Sequence, residues 1–220
     1  MTKAPDGRPR RVVVIDYGVN NVGSVLNMLR RLDVLAHPAH SPDQLDGADA
    51  LILPGVGAFD TGVRNLRDSG FFEAIRARVL GGVPILGICL GMQLLTRGSE
   101  EGSLEGLGLI PATTHRFVFD RSTGGRRLKV PHMGWNEVEP VDQELFAGFD
   151  ETRPRFYFLH SYHVVCVCPE HVAARCEYGL PFHAAIRSRH VFGVQFHPEK
   201  SHRFGTRLLG NFLSAAAAHA

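Results

Sequence analysis

Three short runs of almost purely apolar residues, RVVVID (11–16), ALILPG (50–55) and VPILGI (83–88), punctuate the first hundred residues of the chain. A strand with one wet face alternates apolar and polar side chains, so a continuously apolar run belongs in a sheet covered on both sides. The stretches between these runs supply the cover. VGSVLNMLRRL (22–32) spaces Val25, Leu26, Met28, Leu29 and Leu32 near the helical period, and the stretch after the second run ends in AIRARVLGG, where Gly81 and Gly82 make a stop. LGMQLLTRG reads as the helix after the third run. This alternation predicts an α/β fold with a parallel sheet, whose reactive groups gather at the carboxyl ends of the strands.

The second half changes character. TTHRFVF (113–119), KVPHMGWNEV, RFYFLHSYHVVCV, HVAARCEYG and HAAIRSRHVFGVQF follow one another as short strand patterns with turn residues between them, which predicts an additional antiparallel or mixed portion. The chain closes in HRFGTRLLGNFLSAAAA, where Phe204, Leu208, Leu209, Phe212 and Leu213 mark one helix face. We read residues 1–10 as a basic N-terminal extension and 11–220 as a single domain.

Composition removes several classes of function. Lys+Arg 24 against Asp+Glu 22 in 220 residues leaves no basic field for nucleic acid, and the excess sits in GRPRR (7–11) and GRRLK (125–129). No run approaches the ~20 apolar residues of a membrane helix, and MTKAPDGRPRR lacks the apolar stretch of a signal peptide, so a cytoplasmic location is expected. Cys89, Cys166, Cys168 and Cys176 form no CxxC, and the twelve histidines show no zinc-finger spacing, so neither a disulfide framework nor a structural metal is expected. The C-x-C of VVCVC is read as strand, with both thiols packed on one face.

G-I-C-L-G (87–91) has the form of a strand-to-helix nucleophile elbow with cysteine at its apex. Flanking glycines allow a sharp reversal, and the helix start behind the sulfur favours thiolate. An ordinary thiol, with pKa near ~8.5, is only a few per cent ionised at neutral pH, so attack requires such activation. On this motif alone a buried structural thiol remains open. VFGVQFHPEK (191–200) carries an apolar strand into His197, and the proline that follows keeps the chain extended there. Residues two apart then share a side, so Glu199 can orient the imidazole while its other nitrogen faces a thiol. LPGVGAF (53–59) offers glycine-rich backbone N–H groups at the same sheet edge, suited to an oxyanion, and lacks both the GK[ST] of a phosphate loop and GxGxxG. An ordinary glycine turn is the other reading.

PGVGAF, GICLGMQLL and VQFHPEKS, in this order, resemble the class I (triad) glutamine amidotransferases. Within that class IDYGVNNVGSV, VPHMGWNEV and FYFLHSYH resemble the glutaminase subunits of imidazole glycerol phosphate synthase, over residues 11 to about 213. The resemblance implies an amidotransferase-like mostly parallel sheet flanked by helices, no cofactor, and a heterodimer with a (β/α)₈-barrel cyclase subunit that receives ammonia. It implies Cys89 as nucleophile, His197 as base and then acid, and Glu199 as the residue orienting it. The Leu90 N–H and the Val56–Gly57 peptide would form the oxyanion hole. Gln93, Glu101 and the backbone of Ser161 and Tyr162 would hold L-glutamine, while Trp135, Asn136, Tyr157 and Lys200 would face the partner. Asn20 departs from the family's DYGxGN, where glycine is usual. Another amidotransferase of the class, or a non-catalytic adaptor, are the rival readings.

Overall fold

The computed structural model describes residues 11–18, 21–119, 128–149 and 153–219. Asn20, the extension over 1–10 and most of the basic GRRLK loop lie outside the described residues. The first half runs β1 (Val12–Ile15), α1 (Val22–Arg30), β2 (Ala36–Ala39), β3 (Ala50–Gly55), α2 (Phe59–Asp68), α3 (Phe71–Leu80), β4 (Ile85–Cys89) and α4 (Leu90–Leu94). The second half adds β5 (Ala112–Arg116), β6 (His132–Glu137), β7 (Glu139–Pro140), β8 (Arg155–His160), β9 (Tyr162–Cys166), β10 (Val172–Glu177), β11 (Pro181–Ser188), β12 (Val191–Val194) and α5 (His202–His219).

The main sheet is ordered β2-β1-β3-β4-β12-β11-β10-β7, with β9 pairing β11 and β5 pairing β9. Its first five strands are parallel and the remainder antiparallel. This is the α/β, mostly parallel architecture read from the sequence, with one change of boundary. The VFGV run belongs to the parallel part, because β12 returns beside β4 rather than continuing only as the partner of β11. Alternate residues of β1 explain the unbroken apolar pattern: Val12 and Val14 pack with α1 and α5 on one face, Val13 and Ile15 with α2 and α3 on the other.

Three further departures have local causes. β2 was not expected, since AHPA contains Pro38, but it is an edge strand paired only to β1, where a missing N–H is tolerated. α4 is only five residues long, shorter than LGMQLLTRG suggested. Its terminal carbonyls are captured by the next loop: Leu107 N–H reaches Leu94 O at 2.8 Å, Leu109 N–H reaches Leu95 O at 2.9 Å and Gly108 N–H reaches Thr96 O at 3.0 Å. The C-x-C reading is corrected. β9 ends at Cys166, which is buried, while Cys168 lies beyond the strand, half-buried, before a short turn begun by Pro169.

Candidate active site

β3, β4 and β12 are adjacent and parallel, so their carboxyl ends meet at one edge of the sheet. Gly55 and Cys89 are register partners at that edge, and the chain leaving β12 reaches His197 there. Cys89 sits at φ 56°, ψ −110°, a conformation side chains rarely adopt. The glycines around it are required by close approach. A Cβ on Gly91 would lie 1.8 Å from Leu53 O, and one on Gly87 would lie 2.6 Å from Gly91 O.

The His197 turn is tied down by backbone and side chain. Its N–H donates to Tyr157 O (2.9 Å), its carbonyl accepts from Ser201 Oγ (2.6 Å), and Ser201 Oγ also accepts the Tyr157 N–H (3.0 Å). His197 Nδ1 lies 2.7 Å from Glu199 Oε1, with both side chains buried. A carboxylate there accepts the Nδ1 proton, which leaves Nε2, buried and without a hydrogen bond of its own, toward Cys89. Burial pushes the imidazole pKa down, but the negative charge of the facing Cys89 sulfur, with the hydrogen bond and charge of Glu199, outweighs this and lifts it to about 9.

A cavity of about 250 Å³ opens at the sulfur, lined by Cys89, His197, Val56, Gly57, Leu90, Gln93, Glu101, Ser161 and Tyr162 from the expected set, together with Pro131, Leu159 and His160. Glu101 also accepts the Phe59 N–H (2.9 Å) at the start of α2, which fixes it beside the VGAF loop. Gln93 Nε2 lies 3.4 Å from Tyr162 O and 3.1 Å from Gln195 Oε1. Among the described residues, the one group of three possible metal ligands is Cys168, Glu170 and His171, and none of them lines this cavity.

The residues expected to face a partner divide. β6 and β8 form a separate two-stranded ribbon in which Trp135 pairs with Tyr157 and Asn136 with the buried Phe156. Trp135 is exposed and stacks on His202 (5.5 Å), and Lys200 Nζ lies 5.7 Å from the Tyr157 ring centre. Asn136 points the other way, because side chains alternate along a strand. Its Nδ2 donates to Glu177 O (2.8 Å) and approaches His132 Nε2 (3.4 Å).

Three residues near the sulfur escaped the sequence reading. Asn21 Nδ2 donates to Glu199 Oε1, so the residue at the N-cap of α1 spends its side chain on the carboxylate rather than on the helix. Its signals were a cap-type residue before an amphipathic run and the last position of the DYGxGN pattern. Tyr17 holds a buried phenol against Gly55 with no hydrogen-bond partner, and burial followed by the Cys89 charge pushes that phenol far up. Gln195 is wholly buried, its Nε2 3.7 Å from Cys89 Sγ. A lone amide inside VFGVQF was the available signal.

The elbow, the glycine loop and the buried His–Glu pair around one cavity define a class I glutamine amidotransferase, and the model of that family, "Glutamine amidotransferase class-I", matches residues 13–216. Solved structures share the fold: a glutamine amidotransferase crystal structure (24% identical, TM-score 0.70, covering 93% of this chain and 98% of that one) and the structure of PurLQS from Thermotoga maritima (20%, 0.68, 94% and 98%). Among curated relatives, the chain is 47% identical over 206 residues to imidazole glycerol phosphate synthase subunit HisH 2 of Pseudomonas aeruginosa, covering 92% of this chain and 98% of that protein. It is 46% identical over 203 residues to subunit HisH of Bdellovibrio bacteriovorus, covering 91% and 98%. The chain therefore belongs, within the class I glutamine amidotransferases, to the HisH subunit family of imidazole glycerol phosphate synthase. Among the described residues no helix is long and apolar enough to cross a membrane.

Proposed function

We propose that residues 11–220 form one amidotransferase domain in which Cys89 attacks the side-chain amide of L-glutamine. The sulfur forms a γ-glutamyl thioester as the C–N bond breaks, and water then converts the thioester to glutamate and regenerates the thiol. His197 takes the thiol proton and gives it to departing ammonia, and Glu199 keeps the imidazole oriented. The Leu90 N–H and the Val56–Gly57 peptide receive the oxyanion, while Gln93, Glu101 and the backbone of Ser161 and Tyr162 hold the substrate. The observation that carries this reading is the convergence of β3, β4 and β12, which brings the sulfur and the imidazole to one cavity.

The ammonia is passed, in the cytoplasm, to a (β/α)₈-barrel cyclase subunit that makes imidazole glycerol phosphate and aminoimidazole carboxamide ribotide. Ammonia set free in bulk water would be protonated and lose its nucleophilicity, so a tight heterodimer serves the chemistry. Exposed Met133, Trp135 and Leu159, together with Tyr157 and Lys200, supply an apolar docking face beside the cavity mouth, and Asn136 braces the ribbon from behind. The isolated chain is expected to turn over glutamine slowly until the partner and its ligand complete the oxyanion hole; a high rate without either would refute that. Cys89→Ala tests the core of the reading. In the heterodimer it should abolish glutamine-dependent synthesis and leave synthesis from ammonium salt intact, whereas loss of both would make Cys89 structural.

A further inference from the structure

Gln195 is a buried amide in an otherwise apolar strand end, a position that is destabilising unless its hydrogen-bonding groups are met. Its Oε1 lies 3.1 Å from Gln93 Nε2 and its Nε2 3.7 Å from Cys89 Sγ, within range for an N–H···S bond. The direction of these bonds follows from the carbonyl of Tyr162, which can only accept. Gln93 presents Nε2 to that carbonyl at 3.4 Å, and His160 Nδ1 donates to it at 2.8 Å. Turning both amides over would set Gln93 Oε1 against the carbonyl oxygen and offer the sulfur only an acceptor. The Tyr162 carbonyl thus fixes Gln93, Gln93 fixes Gln195, and the sulfur receives a donor. The thiol's own hydrogen has a separate outlet, since Sγ lies 3.8 Å from Leu159 O.

We infer that Gln195 is a further catalytic residue whose side-chain N–H donates to the sulfur of Cys89 and stabilises the thiolate that attacks glutamine, an inference that rests on reading Cys89 as the nucleophile. A charged acceptor takes a stronger hydrogen bond than a neutral one, so the contact tightens as the proton leaves for His197. It is then worth more to the reacting state than to the resting thiol.

The test is alkylation of the full-length chain by iodoacetamide at neutral pH, scored on the Cys89 peptide by mass spectrometry. Cys168, half-buried and outside the site, reports the intact fold, while burial pushes the Cys166 and Cys176 thiols up to about 12 and keeps them silent. Gln195→Met keeps length and removes the donor. It should slow alkylation of Cys89 about tenfold or more with Cys168 unchanged, and Gln195→Glu, an acceptor-only carboxylate, should slow it further. Gln93→Leu frees the Gln195 amide to turn and should give a smaller loss, which keeps the question answerable if Gln195→Met does not fold. With the cyclase subunit present, kcat for glutamine should fall by a factor similar to the alkylation rate while KM changes little. An unchanged Cys89 rate in Gln195→Met overturns the inference. So does a raised KM with unchanged alkylation, which would make Gln195 only a prop for Gln93. If the parent with its partner releases no glutamate, the nucleophile reading fails instead, and alkylation still judges the donor.

Discussion

At the scale of single residues, the site stores backbone strain where it needs the sulfur held out. Cys89 at φ 56° is one of few non-glycine residues with positive φ among those described. Such conformations cost ~1–3 kcal/mol for a residue with a Cβ. Glycine relieves that cost at the price of a more flexible unfolded chain, so Cys89→Gly should be more stable than Cys89→Ala by about 1 kcal/mol, a melting shift of roughly 2–4 °C. Equal melting temperatures would mean the elbow relaxes freely. Glu199 gives a second residue-scale prediction, with a sign. Imidazolium at 197 must protonate the leaving ammonia, so the rate should decline on the alkaline side as that group, held at about 9, loses its proton. Removing the Glu199 charge removes one of the influences that raise it. In Glu199→Gln the alkaline limb of kcat/KM should move to lower pH, and kcat should drop on the order of 10²-fold or more as the imidazole loses its orienting charge. A profile with an unmoved limb would detach Glu199 from the reaction.

At the scale of elements, the β6–β8 ribbon keeps much of its outer face exposed among the described residues. Met133 is 64% exposed and Trp135 41%, an apolar pair beside the cavity on a ribbon whose inner face packs Phe156 and Phe158. Trp135 is the sole tryptophan, so its fluorescence reports this ribbon alone. Cyclase binding should shift its emission to the blue, and Trp135→Ala should weaken binding by about 2 kcal/mol or more while hardly changing the melting temperature of the isolated chain. Titration by calorimetry with no loss of affinity would place the interface elsewhere. The elements that were legible in the sequence are those whose pattern is local: β1, β3 and β4 as continuous apolar runs, α1 and α5 as stripes, the elbow as glycine spacing. β2 was hidden because edge position, not propensity, licenses Pro38. The short α4 was hidden because its end is set by Leu107, Gly108 and Leu109 from a later loop. Asn21 and Gln195 were hidden for the same reason at smaller scale, since a side-chain hydrogen bond between segments far apart in the chain leaves no periodicity behind. Asn136 was assigned outward with Trp135, although adjacent strand residues cannot share a face.

At the scale of the whole molecule, the antiparallel half carries a set of histidines that folding keeps neutral. His132 Nδ1 lies 3.0 Å from His160 Nε2, and because His160 Nδ1 must donate to Tyr162 O, His132 is the donor between them. Phe117, Phe158 and Phe182 surround this pair, with Tyr178 stacked on His132 at 4.0 Å. His163 packs on Phe117 at 4.7 Å with its Nδ1 buried and unpartnered. Burial pushes all three pKa values down from 6.5, to about 4 for His132, about 3 for His160 and about 4 for His163, with neighbouring histidine charges adding to the last two. The unfolded chain, titrating near 6.5, therefore binds up to about three more protons than the folded one between pH ~6 and ~4. The stability these three histidines confer should be fully present above pH ~6.5 and be lost as pH drops through that window, with a slope approaching ~4 kcal/mol per pH unit. By pH ~5 these groups remove on the order of 6 kcal/mol, against a total of ~5–15 kcal/mol, so acid weakens the fold before most carboxylates take up protons. His163→Phe removes one of the three groups and puts a ring where a ring already packs, so the slope of urea-unfolding free energy against pH should fall by about a third. An unchanged slope in that variant would mean His163 is protonated in the folded state, and the acid sensitivity would have to arise from the carboxylates instead.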